Sequence, residues 1–145
     1  MVAAHHLSSP GHVEVAAGLV FHQGRLLITR RPAGTHLGGL WEFPGGKREP
    51  HETFEACLQR ELREELGIEV EVGPLWCTVQ HEYPEVRVQI HFYLCRWRAG
   101  EPRALGCAAW KWVDRRTLRR HRFPAADAQL LEQLVQTRKV WESAG

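Results

Sequence analysis

Between Gly46 and Ile68 the chain places glycine, arginine and glutamate at offsets that constrain its local structure more than any other stretch does. Gly46 is followed by five residues and then Glu52; seven more residues lead to Arg60-Glu61-Leu62-Arg63-Glu64-Glu65-Leu66-Gly67-Ile68. Thr53 suits an N-cap and Gly67 is a natural stop, so the spacing predicts a helix running to Leu66. Phe54, Cys57, Leu58, Leu62 and Leu66 recur at three- and four-residue steps, an apolar stripe that needs something to pack on. Glu61, Glu64 and Glu65 stand at i, i+3 and i+4 and so share a different patch of the same helix. Clustered carboxylates repel and raise one another's proton affinity, which is costly unless a divalent cation compensates. Oxygen-only ligands suit hard ions, Mg²⁺ or Mn²⁺. Such an ion can bridge phosphate oxygens and activate water. Pro44-Gly45-Gly46 allows the backbone to approach the same ion, since glycine has no side chain to clash. Arg60 can pair with Glu64 one turn on, or reach Glu52 across the loop.

The run matches in every position the Nudix box: G, five residues, E, seven residues, R-E-U-x-E-E-x-G-U, with U a bulky aliphatic. Seven fixed letters and two aliphatic positions give about one chance match per billion windows at average residue usage. The chain therefore resembles the Nudix hydrolase superfamily, and the resemblance extends beyond the box (46–68) across most of the chain. It implies an α/β fold, the Nudix fold, with a mixed, curled β-sheet sandwiched between helices (α/β/α). It implies water attack on a phosphorus inside a nucleoside diphosphate linked to another group. By this resemblance Glu61, Glu64 and Glu65 are catalytic residues and metal ligands. The Gly45 carbonyl is a further ligand, and Gly46, Glu52, Arg60 and Gly67 support the box. The general base is one of the three glutamates or a carboxylate elsewhere.

Within the superfamily, Leu40-Trp41-Glu42-Phe43-Pro44-Gly45-Gly46-Lys47 and Thr29-Arg30-Arg31 look like the MutT-like subgroup, which cleaves nucleoside triphosphates to monophosphate and pyrophosphate. Phe123-Pro124-Ala125-Ala126-Asp127 resembles the F-P-x-A-N element whose Asn reads the base of 8-oxo-dGTP, but here the last residue is Asp127. A carboxylate only accepts hydrogen bonds. It suits the amino group of cytosine, or the N7–H of an 8-oxoguanine whose O6 is read elsewhere, and it is similar to the CTP pyrophosphohydrolases of the subgroup. Arg31 is expected at the phosphates, and Phe43 and Tyr83 beside the base. A second departure is at Gly106, six residues before Trp112, where MutT-like chains commonly carry a metal-site Glu. The implied function is nucleotide-pool sanitation by a Mg²⁺- or Mn²⁺-dependent (deoxy)nucleoside triphosphate pyrophosphohydrolase acting on an oxidised or cytosine-type nucleotide. Two alternatives stay open. One is hydrolysis of another nucleoside diphosphate derivative such as ADP-ribose; Pro84, 84 − 68 = 16 residues past the box, is common in such enzymes. The other is a non-catalytic 8-oxoguanine-reading module.

The remaining sequence agrees with a single domain. Residues 1–12 read as a loose N-terminal arm and 13–145 as the domain. Val13–Phe21 and Arg25–Arg31 read as strands joined by the turn Gln23-Gly24. Pro32 to Gly39 reads as a loop, Ile68–Gln80 as one or two strands, Arg87–Trp97 and Ala108–Val113 as further strands. A short helix is expected from Asp114 through Arg120, and a last helix over Ala125–Trp141. Nineteen basic against 17 acidic residues leave a net charge of +2, which argues against a stable nucleic-acid binder. The basic run Arg115, Arg116, Arg119, Arg120 and Arg122 is a solvated face or a steering patch for a polyanion. No apolar run reaches the ~20 residues of a membrane span. The four cysteines, spaced 20, 18 and 12 apart, form no C-x-x-C, so reduced thiols in the cytoplasm are expected. The partner expected is a small nucleotide substrate, with the protein a monomer or homodimer.

Overall fold

A computed structural model describes residues 11–142. The element order is β1 (Gly11–His22), β2 (Arg25–Arg30), β3 (Trp41–Glu42), β4 (Gly45–Lys47), α1 (Phe54–Leu66), β5 (Glu69–Glu82), β6 (Val86–Ala99), β7 (Ala109–Val113), α2 (Ala128–Gln136) and α3 (Arg138–Glu142). Single 3₁₀ turns occupy Leu118–Arg120 and Ala125–Asp127.

All seven strands form one mixed sheet. Its main path runs β3-β2-β1-β6-β5, with β4 added to β1 and β7 to β2. The parallel pairing of β1 with β6 extends from Gly11↔Val86 to Phe21↔Arg96 and is the spine of the sheet. β1 meets β2 only beside their hairpin, at Phe21↔Leu26 and His22↔Arg25. At its other end the same edge of β1 pairs with β4, at Val15↔Lys47 through Ala17↔Gly45. The sheet thus forks between β2 and β4, and the fork opens a space beside the glycines. Gln23 and Gly24 both have positive φ, 50° and 77°, as a two-residue hairpin between twisted strands requires.

Alternation along β1 divides the core into two layers. Ala16 and Val20 pack with Leu58, Leu62 and Leu66 of α1. Ala17, Leu19 and Phe21 pack on the opposite side with Leu130, Leu131 and Leu134 of α2 and Trp141 of α3. This is the α/β/α sandwich that the box resemblance implies. Gly18 lies under α1, where a Cβ would make ordinary contact, 3.5 Å, with both Leu58 Cδ1 and Leu62 Cδ1.

Several boundaries differ from those read off the sequence. Gly11 and His12 belong to β1 rather than to an arm, because they pair with Val86 and Arg87 of β6; residues 1–10 of the expected arm lie outside the described residues. Gly45 and Gly46, expected with Pro44 to form a turn, instead belong with Lys47 to a strand, because their backbone completes the free edge of β1. Ile68–Gln80 resolves into one strand, β5, whose register shifts between Val72 and Leu75, where Pro74 has no N–H to donate. The expected helix from Asp114 shrinks to one 3₁₀ turn, since Asp114 Oδ1 accepts from Thr117 N at 2.9 Å and closes a local turn instead. The last helix is broken at Thr137, whose Oγ1 donates to Gln133 O at 2.7 Å while Trp141 Nε1 donates to Leu134 O at 2.9 Å. The break tips Trp141 into the core, edge-on to Phe21 at 5.2 Å.

Leu62 is fully buried at the centre of the α1 contact. Leu62→Ala is expected to cost about 2–5 kcal/mol in urea unfolding. A loss under ~1 kcal/mol would mean that α1 is not seated on the sheet as described.

Candidate active site

Helix α1 starts and stops where its sequence dictates. Thr53 Oγ1 accepts from Ala56 N at 3.0 Å, and Gly67, at φ 70°, donates its N–H to Arg63 O at 2.9 Å. With Leu58, Leu62 and Leu66 turned into the core, the three glutamates fall into different surroundings. Glu64 is exposed, Glu61 is half-buried, and Glu65 is half-buried at a cavity of about 340 Å³.

Arg60 is the hub of the box. It donates to Glu52 Oε2 at 2.5 Å and Oε1 at 2.9 Å, to Glu61 Oε2 at 3.0 Å, to Glu64 Oε1 at 3.2 Å and to Lys47 O at 3.2 Å. Both partners considered from the sequence, Glu52 and Glu64, are therefore used at once. The guanidinium pulls the Glu52 carboxyl down to about 2, helped by the Glu49 N–H. Burial pushes Glu61 above the usual carboxylate range and Arg60 opposes it.

Glu65 is different. Burial first, and then the charges of Glu42 and Glu61, push its carboxyl up to about 8, although the Gly45 N–H bonds to it. Its Oε1 is buried without a hydrogen-bond partner. Gly45 is obligatory, since a Cβ there would overlap the Ala16 carbonyl, and a Cβ on Gly46 would displace the Glu61 carboxyl group. Gly106 lies directly against Glu65, its N–H donating to Glu65 O at 3.0 Å, so no carboxylate enters from that side.

Among the described residues, no three His, Cys, Asp or Glu side chains converge in a metal-holding arrangement. Arg60 holds Glu61 and Glu64 while Glu65 turns into the cavity. The donor chemistry nevertheless fits a hard divalent cation. It combines a buried carboxylate oxygen lacking any partner, two further carboxylates within one helical turn, and a glycine backbone with no side chain in the way.

The cavity gathers the other candidates. Phe43 is buried and forms part of its apolar wall, 5.2 Å from Phe123 and 6.1 Å from Phe92 between ring centroids. Tyr83 lines it from the β5–β6 hairpin, edge-on to His36 at 5.5 Å. Arg31, just past β2, donates to His36 O at 2.7 Å and to Glu42 Oε1 at 3.4 Å. Asp127 lines it from the 3₁₀ turn before α2, where burial raises its carboxyl and the charge of His81 counters this. Glu52, Arg60, Glu61, Glu64 and Gly67 do not line the cavity; they act through the helix that carries Glu65.

Sequence reasoning missed Glu42, Lys47, His36 and His81, all of which line the same cavity. Glu42 had a signal: it alternates with the apolar Trp41 and Phe43, which are signs of a short strand. His81 had one too, standing two residues from Tyr83. The loop residue His36 had none.

A family model described as the NUDIX domain matches residues 16–133. The chain is 36% identical over 124 residues to the 8-oxo-dGTP diphosphatase of Haemophilus influenzae, covering 85% of this chain and 91% of that one. It is 36% identical over 126 residues to the CTP pyrophosphohydrolase of Escherichia coli, covering 87% and 93%. The solution structure of the E. coli ORF135 protein superposes with a TM-score of 0.76 at 34% identity, covering 89% of this chain and 92% of that one. With a family match spanning most of the chain and an intact box folded around Glu65, this chain belongs to the Nudix family.

Proposed function

We propose that the chain is a nucleoside triphosphate pyrophosphohydrolase of nucleotide-pool sanitation, releasing a monophosphate and pyrophosphate. The observation that carries this reading is the cavity itself. It joins the box, through Glu65, Gly45 and Gly46, to an acceptor-only side chain, Asp127, between aromatic walls. The relatives named for 8-oxo-dGTP and CTP support the same substrate class. The volume, about 340 Å³, is in the range of small-molecule sites. No helix among the described residues is long and apolar enough to cross a membrane, and all four cysteines are free, in keeping with a cytoplasmic setting.

Glu61, Glu64, Glu65 and the Gly45 carbonyl would hold a divalent cation, Mg²⁺ or Mn²⁺. When bound, that ion supplies charge neutralisation for phosphate oxygens and lowers the pKa of water. The chain's own residues do the rest. Arg31 and Lys47 place positive charge in the cavity for the phosphates. Arg60 keeps Glu61 and Glu64 pointed along one side of α1. A carboxylate of the trio takes the proton of the attacking water, and the aromatic walls at Phe43 and Tyr83 exclude bulk solvent from the base. The intact box carboxylates favour this reading over a module that only binds oxidised guanine.

Glu64→Gln and Glu65→Gln are each expected to cut kcat by ~10²-fold or more with the fold retained, measured as pyrophosphate release with Mg²⁺. Unchanged turnover would reject the assignment.

Glu65→Gln should also stabilise the metal-free protein. Glu65 protonates near 8 in the folded state against 4.5 for an ordinary glutamate, so its ionised form weakens folding as pH rises through that window. The advantage of the variant in chelator should vanish below pH 4.5 and be fully present above pH 8. There it should reach at most about 5 kcal/mol, read from thermal melts. Coincident melts at pH 9 would show that no desolvated carboxylate is present.

Asp127→Asn gives the base-reading side chain a donor as well as an acceptor. Substrate preference should move from cytosine-type toward guanine-type bases, scored as kcat/KM over a panel of normal and oxidised triphosphates. An unaltered ranking would remove Asp127 from base recognition.

A further inference from the structure

Asp127 opens the last helical segment, yet its side chain makes no capping hydrogen bond, so its oxygens are not committed to the helix. It faces a cavity it shares with His81, which stands near the end of β5, cross-strand from Val88. The His81 ring lies 6.5 Å from Tyr83, which lines the same cavity. His81 and Asp127 are also coupled electrostatically: the histidine is the neighbour whose charge opposes the effect of burial on the carboxyl. The cavity therefore offers a pure acceptor together with a ring N–H donor.

That combination has a definite complement among nucleobase edges. Cytosine presents its N4 amino group beside the lone pair of N3. Guanine oxidised at C8 presents N7–H beside O6. Unmodified guanine presents two acceptors, N7 and O6, on that edge, and uracil carries an oxygen where cytosine carries its amino group. A carboxylate meets a lone pair in the last two cases, which leaves a partly buried charge unpaired.

Building on the triphosphate reading above, we propose that His81 is the donor half of a two-point base reader whose acceptor half is Asp127. The ligand class it selects is a nucleoside triphosphate whose base sets an N–H against Asp127 and a lone pair against His81. Cytosine, through N4–H and N3, and C8-oxidised guanine, through N7–H and O6, do so in the same register, in which uracil and unmodified guanine set an acceptor against the carboxylate.

The test measures kcat/KM for dCTP, dUTP, 8-oxo-dGTP and dGTP with the full chain and Mg²⁺. The proteins compared are wild type, His81→Phe, His81→Ala, His81→Gln, Asp127→Asn and His81→Phe/Asp127→Asn. The two donorless variants, His81→Phe and His81→Ala, should each lower the dCTP/dUTP and 8-oxo-dGTP/dGTP ratios by about tenfold, mainly through KM. His81→Gln, which keeps an N–H, should retain most of both ratios. In the Asp127→Asn background the added His81→Phe should change the ratios by less than about twofold, because the pair acts as a unit. Equal slowing of all four substrates, or ratios unmoved in either donorless variant that folds, overturns the His81 assignment while leaving the triphosphate reading intact. Release of pyrophosphate from none of the four by the wild type overturns both.

Discussion

The rotation of α1 about its own axis decides what this chain can do. Leu58, Leu62 and Leu66 are fully buried against the sheet. Each buried leucine contributes roughly 1.5–3 kcal/mol, so the three together outweigh the few kcal/mol that a single desolvated carboxylate costs. The hydrophobic stripe therefore dictates that Glu65 enters the cavity even though its carboxyl loses water there. A helix free to turn by one residue would return Glu65 to solvent and lose its seat on β1. The acid at the site is thus held in an unfavourable state by apolar packing on the other side of the same helix. This is how stability bound up in a core is converted into a reactive position.

Arg60 shows the complementary solution on the exposed flank. There the carboxylates of Glu52, Glu61 and Glu64 are gathered around one guanidinium, whose planar fork can serve several oxygens at once. The arginine also ties Glu52 and the Lys47 carbonyl to α1, so the loop between β4 and the helix is pinned at both ends. Arg48 pins its middle, donating to Glu52 O at 2.9 Å and pairing with Glu14 of β1. The loop is therefore a fixed link between the fork in the sheet and the helix.

The parts of this arrangement that were legible in the sequence were those governed by local periodicity. The α1 stripe, its Thr53 cap and its Gly67 stop all follow from spacing, and the structure has them in place. What could not be read was anything set by pairing across the chain. Gly45-Gly46-Lys47 has no strand signature of its own and becomes β4 only because β1 and β2 diverge and leave an edge to fill. The last helix breaks at Thr137, where the hydrogen bonds of Thr137 and Trp141 close its end and Trp141 meets Phe21 across the core, a partner no local pattern announces. The box spacing grouped three glutamates equally, whereas the packing sorts them into exposed, half-exposed and cavity-facing. Glu42 and His81 carried only weak local signals, and it is the folding of β3 and β5 around one cavity that brings them together.

That folding also sets three carboxyl groups around the cavity. Burial raises both Glu65 and Glu42; the charge of Glu42 adds to the first, and that of Asp127 adds least to the second. Arg31 opposes the rise at Glu42 by bonding it. Glu42 thus lines the same cavity as Glu65 and Asp127, the two carboxyl groups at the proposed phosphate and base sides, and its charge acts on Glu65.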